Sequence, residues 1–371
     1  MPVRAAAPGT IDVIRHYATL VYASYGESLQ SALAMQLTIR ALLAAPSVAT
    51  LQDSRKAWIA AREWYGQTEA FRFYSGPIDD GKGPETRLNT WPVDESYIDY
   101  VQDRPGSGIV NTPGTVISKA SLAALNLRGG LENISTGWHA IEFLLWGQDL
   151  SETGPGDRPF TDYVDGQAPH ADRRRQYLSA VTELLIDDLR YLIVAWAPAV
   201  KTNYRARFER GGLESIRKMI IGLGALSRAE LAGERLEVAL NTQDQEDEQS
   251  CFSDNTHRDI VNDAIGIENV WLGRFLRSDM SVLQGPSLRE LVAIKDAALA
   301  ERVTQQIASS VKAAQDIHPP FDQEIRGGSN APGRQRIQAT IDSLRAQAKE
   351  LGNAANALGI TQLNMVRPTT R

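Results

Sequence analysis

A histidine and a glutamate stand three residues apart in GWHAIEFLLWGQD, residues 137–149. At that spacing His139 and Glu142 project to the same side of a helix, which is how a bundle helix offers two inward metal ligands. Imidazole nitrogen and carboxylate oxygen together suit iron, zinc or manganese. From Trp138 to Trp146 every other side chain is apolar or alanine. A helix that is apolar all round is buried on every side, and burying even a neutral polar group without a partner costs about 2–7 kcal/mol. His139 and Glu142 must therefore be answered. A metal would do it, and so would a structural set in which His139 bonds a carbonyl and Glu142 an arginine or tryptophan N–H.

Two protein ligands rarely make a stable transition-metal site, so further donors are expected on apposed elements. Glu69, in WYGQTEAFRF, shares a helical face with Trp58, Arg62 and Tyr65, spaced at three- and four-residue steps. It is the first candidate for a third ligand, and pairing with Arg62 or Arg72 is the alternative. Asp254 and His257 come next, in the acid-rich stretch QDQEDEQSCFSDNTHRD (243–259). A histidine there would be neutral enough near neutral pH to ligate and would release metal in acid. The competing reading is a solvated acidic loop in which Asp254 or Asn255 caps the following helix. Cys251, beside Phe252, reads as a buried thiol rather than a reactive one.

The equipment for ordinary hydrolysis is thin. No His-Glu-x-x-His occurs, and Phe143 stands where an inverted zinc-protease motif needs histidine. Gly-x-Ser-x-Gly, the phosphate loop and the dinucleotide fingerprint are also missing. His16, His170 and His318 have no companions at ligand spacing.

These residues need elements to position them, and helical periodicity dominates the chain. The pattern predicts helices near 10–45, 48–73, 114–126, 137–148, 170–198, 212–242, 256–279, 287–315 and 335–358, with β-type alternation nearly absent. Irregular Gly- and Pro-rich stretches occupy 74–113 and 149–169. A chain of 371 residues exceeds one typical core. The expected architecture is all-α, with two packed four-helix-bundle-like domains, residues 1–165 and 166–371, whose similar layouts suggest a duplication. The net charge of −6 argues against a nucleic-acid surface. A single cysteine excludes an intramolecular disulfide. No stretch is apolar for the roughly 18 residues that span a bilayer. The Ala-rich start, MPVRAAAPGT, reads as the remnant of an export signal.

The stretch GWHAIEFLLWGQD resembles the Gly-x-His-x-x-Glu signature of the imelysin family, peptidase-like and iron-regulated proteins of the bacterial cell envelope. The likeness extends to GPIDDG and NTWPVDESYIDY before it, GDRPFTDY just after it, and CFSDNTHRD in the second half, so it covers nearly the whole chain. Gly137, His139 and Glu142 occupy the three signature positions. The resemblance implies paired helical bundles with the signature near their interface, and export to the periplasm or outer envelope, with peripheral membrane association. It also implies a link to iron uptake, with iron or an iron-bearing ligand as cargo, zinc as the other metal candidate, and envelope iron-transport proteins as partners. The resemblance also implies a metallopeptidase label, and in that alternative reading Glu142 or a nearby acid would activate a metal-bound water.

Overall fold

The computed structural model describes residues 8–361 and 363. The first seven residues, most of the stretch read as an export-signal remnant, lie outside the described residues. The fold is all-α apart from one short hairpin, in which β1 (Arg274–Leu276) pairs antiparallel with β2 (Val282–Gln284). The principal helices are α1 (Thr10–Ala44), α2 (Val48–Gly66), α3 (Gly137–Trp146), α4 (Ala171–Trp196), α5 (Leu213–Ala225), α6 (Thr256–Leu272), α7 (Ala297–Gln315) and α8 (Pro332–Ala357). None of the described helices is long and apolar enough to cross a membrane.

Helices α1 to α4 form one group, with α1 on α2 and α4, and α3 against α2 and α4. In the other group α8 lies along α7 and α5, and α6 packs on α7. The change from one group to the other falls after Trp196, in the connection 197–212, rather than near residue 165. The stretch 149–169 does not behave as a linker because it is tied back into the first group. Arg158 and Arg174 both reach the buried Asp99, at 2.9 and 2.5 Å, and Asp162 takes Arg158 at 2.8 Å.

The two groups share one continuous apolar core. They meet where α6 lies on α2 and on the 3-10 turn Gln67–Phe71 that continues it. Glycine makes that contact close: a Cβ on Gly266 would stand 2.5 Å from the Gln67 carbonyl oxygen. No side chain larger than hydrogen fits there.

Local chemistry sets the helix limits. The expected helix 256–279 stops at Leu272 because Gly273 turns left-handed at φ 61°. The expected helix 287–315 breaks at Asp296, whose carboxylate caps α7 by accepting from the Leu299 amide at 2.8 Å. The expected 114–126 shortens to Lys119–Leu125, started by Ser118 accepting from the Ser121 amide. Beyond α5 the helix widens to π geometry over Leu226–Glu237. Asn255 precedes α6 but its side chain makes no capping bond, and Asp254 sits at φ 57°.

Candidate functional site

Gly137 begins α3 with φ +86°, a conformation open to glycine and strained for other residues. A Cβ there would lie 2.4 Å from the Leu88 carbonyl oxygen and 2.6 Å from that of Arg87. The glycine of the signature thus lets the start of α3 press against the 85–88 turn. The apolar run then does what its composition dictates, and every residue of α3 is buried.

His139 and Glu142 are 1% and 0% exposed. His139 Nδ1 lies 2.7 Å from Glu142 Oε2, with one proton between them, on the imidazole or on the carboxyl. The other carboxylate oxygen, Oε1, accepts two bonds from Ser253, its amide at 3.0 Å and its hydroxyl at 2.6 Å. Burial pushes the Glu142 carboxyl well above the usual range; Ser253 opposes the shift, Asp259 adds to it, and Arg62 opposes it from further away. Phe143 and Phe252 pack with tilted rings 5.2 Å apart beside this contact. The second helix group therefore reaches the signature through the loop before α6.

Behind α3 stands the α2 face. Trp58, Arg62, Tyr65 and Glu69 are all buried, as their shared spacing requires. The Trp58 indole N–H donates to the Trp138 carbonyl at 3.0 Å. The Arg62 guanidinium lies 5.6, 5.4 and 5.8 Å from the ring centres of Trp58, Tyr65 and Trp138, an aromatic cage around a cation. It donates to Asp259 at 3.0 Å and to Asn89 at 2.6 Å. The second oxygen of Asp259 accepts from the Ser250 hydroxyl.

Glu69 is not directed to the His139–Glu142 pair by any bond of its own. It is held by Arg72 and by Arg235, and more loosely by Asn89 at 3.4 Å. Burial alone would raise its carboxyl, but the two guanidiniums hold it at about 2. Of the two alternatives for Glu69, the structure gives ion pairing, with Arg72 as one partner and Arg235, from the π segment, as an unforeseen second. Arg235 also reaches Glu230 and Asp263.

Asp254 lies in the loop before α6 and His257 in the first turn of α6, the imidazole bonded to backbone. His257 Nδ1 donates to the Asp254 carbonyl at 3.1 Å, and burial lowers the His257 pKa. The Asp254 carboxyl is pushed up to about 7 by burial and then by Asp149 and Asp322. The described residues hold no group of three or more His, Cys, Asp or Glu side chains gathered as metal ligands. Cys251 is buried, which raises its thiol well above the usual range.

Ser253, Asp259, Ser250 and Arg235 escaped the sequence reading. Asp259 and Asp263 carried a usable signal, since two acids four apart inside DIVNDAIG must face something cationic if that stretch is buried. Ser253 carried none, because a loop serine has no periodicity. A cavity of about 560 Å³ opens at the C-terminal end of α3, lined by Trp146, Gln148, Asp149, Tyr100 and Arg158 among others.

Residues 21–351 match the model of the imelysin family. The chain is 26% identical over 306 residues to Iron-regulated protein A of Synechococcus elongatus, covering 82% of this chain and 75% of that one. The fold is similar to the crystal structure of a protein from Parabacteroides distasonis assigned provisionally as an iron-regulated protein A precursor. The TM-score is 0.72 at 20% identity, over 95% of this chain and 96% of that one. With the family match spanning both helix groups and the glycine, histidine and glutamate of α3 each given a structural role, the chain belongs to the imelysin family.

Proposed function

We propose that this chain is an iron-linked cell-envelope protein that holds iron at the His139–Glu142 pair, carried on a small chelating ligand. The observation that supports this most is an imidazole nitrogen and a carboxylate oxygen 2.7 Å apart, buried on one helix, with the second oxygen fixed by Ser253. The donor chemistry suits iron, with zinc as the other candidate. The donor number does not suit a self-contained site, which takes three or four ligands. Glu69 is engaged by Arg72 and Arg235, and one ring nitrogen of His257 by a backbone carbonyl. The remaining donors then arrive with the metal, which favours an iron-bearing ligand over a bare ion. The cavity of about 560 Å³ at the C-terminal end of the same helix is of ligand size, though its lining does not include His139 or Glu142.

The name of the Synechococcus relative supports regulation by iron. The family resemblance supports a periplasmic or outer-envelope location, envelope iron-transport proteins as partners and peripheral contact with the membrane. The peptidase reading has less support, because the sequence carries neither His-Glu-x-x-His nor its inverted form. A structural pair is the second reading, favoured by the fact that both Glu142 oxygens already have partners within the chain.

Metal content after purification, followed by titration with ferrous iron and with ferric citrate, tests the proposal. Glu142→Gln is expected to lower affinity by about 10–100-fold. Equal binding by the two proteins, or none by either, leaves the structural pair. Chelator-sensitive cleavage of an unstructured substrate, lost in Glu142→Gln, would establish the peptidase instead.

A further inference from the structure

In an acidic chain, the segment KTNYRARFERGGLESIRK, residues 201–218, carries six cations against two acids. It borders a cavity of about 620 Å³ between the connection 197–212 and the start of α1. Four cations line this cleft, Arg15, Lys201, Arg205 and Arg210, with Glu209 as the one acid among its lining residues. Arg205 and Glu209 answer each other at 2.8 Å, and Arg205 is pinned further by donating to Thr19 Oγ1 at 2.9 Å. Side-chain exposures of 12% and 27% make this pair the floor of the cleft.

Arg15, Lys201 and Arg210 are different. Among the described residues no ion pair or side-chain hydrogen bond engages them. They come from two stretches of the chain, the start of α1 and the connection 197–212, yet surround one space that is walled on its apolar side by Ile11 and Val200. Low-dielectric walls concentrate the field of such charges. Gly212, at the N-terminus of α5, lines the same cleft and has no capping side chain, so the positive end of the helix dipole adds to the cations. Cations repel metal ions, so this is not a second metal site. A univalent anion would meet the needs of only one of the three charges.

The geometry points to a binding site for a small polyvalent oxyanion, bearing two or more phosphate or carboxylate groups, at Arg15, Lys201 and Arg210 above the Arg205–Glu209 floor. It is independent of the reading of the His139–Glu142 pair.

Calorimetric titration of the full chain at low ionic strength, with inorganic pyrophosphate and separately with citrate, tests it. Saturable binding is expected, weakening as salt is added. The triple variant R15S/K201S/R210S is expected to bind at least ~10-fold more weakly, since it loses charge-assisted bonds. These side chains lie at the surface, so circular dichroism should show the variant folded. Glu142→Gln should bind pyrophosphate and citrate as the parent does. Absence of saturable binding to both anions, or full binding by the triple variant, overturns the site. Flotation with phosphatidylglycerol vesicles separates the source: association that pyrophosphate does not compete away assigns the cleft to a lipid surface and overturns the small-ligand assignment.

Discussion

Ser253 donates both its amide and its hydroxyl to a single oxygen of Glu142, across a separation of 111 residues. Removing the hydroxyl leaves a buried carboxyl oxygen with one bond in place of two. Ser253→Ala is therefore expected to destabilise the fold by about 0.5–1.5 kcal/mol, the usual net contribution of one hydrogen bond. Urea denaturation measures it. An unchanged midpoint would mean that the hydroxyl bond contributes nothing to holding the halves together.

Glu69 offers a contrast between a ligand and a counter-ion. Its place between Arg72 and Arg235 predicts that Glu69→Gln costs about 3–5 kcal/mol, as removing one partner of a buried ion pair does. Iron titration of the same variant is expected to match the parent. A large loss of metal affinity with little loss of stability would return Glu69 to the ligand set.

The caged Arg62 should couple to Asp259 across the helix groups. A double-mutant cycle with Arg62→Met and Asp259→Asn is expected to give a coupling energy of about 1–3 kcal/mol. Additive effects would show that the aromatic cage alone holds the guanidinium.

Gly137→Ala should fail where Gly154→Ala succeeds. The first forces a Cβ against two carbonyl oxygens at positive φ, while nothing lies within 4 Å of the second. Thermal melts are expected to show at least about 3 kcal/mol lost in the first, beyond the 1–2 kcal/mol of left-handed strain alone, and within about 0.5 kcal/mol of the parent in the second.

Acid should favour the fold in one window. The carboxyls of Asp149 and Asp254 are pushed up to about 6 and 7, first of all by burial. The folded chain then binds protons that the unfolded chain has released, so their contribution is complete below the ordinary carboxylate range. It is lost as pH rises toward 6 to 7. The melting temperature is expected to fall from mildly acid to mildly alkaline solution, and Asp254→Asn should flatten that fall. A parent whose stability rises over the same interval would contradict the assignment.

The helical class and the burial of α3 were legible because both rest on local periodicity, which needs no knowledge of partners. The α2 face was legible for the same reason, down to Trp58, Arg62, Tyr65 and Glu69 sharing one side. What Glu69 and Glu142 touch was not, because Arg235 and Ser253 lie 166 and 111 residues away and neither shows a pattern that binds it to them. The boundary near residue 165 failed on a related ground. Gly- and Pro-rich composition reports irregular backbone, and only the pairing of Arg158 and Arg174 with Asp99 shows that this backbone is anchored.

The Ser253 contact also orders events in time. During synthesis α3 emerges well before the loop that completes it. At about 5–20 residues per second the 111-residue interval lasts roughly 6–22 s. For that interval Glu142 has His139 beside it and nothing on its other oxygen, in a helix whose apolar faces lack their second cover. A nascent chain of this protein therefore passes through a stage in which a carboxylate that ends fully buried is open to water and to the folding machinery, and the seal closes only as the second half arrives.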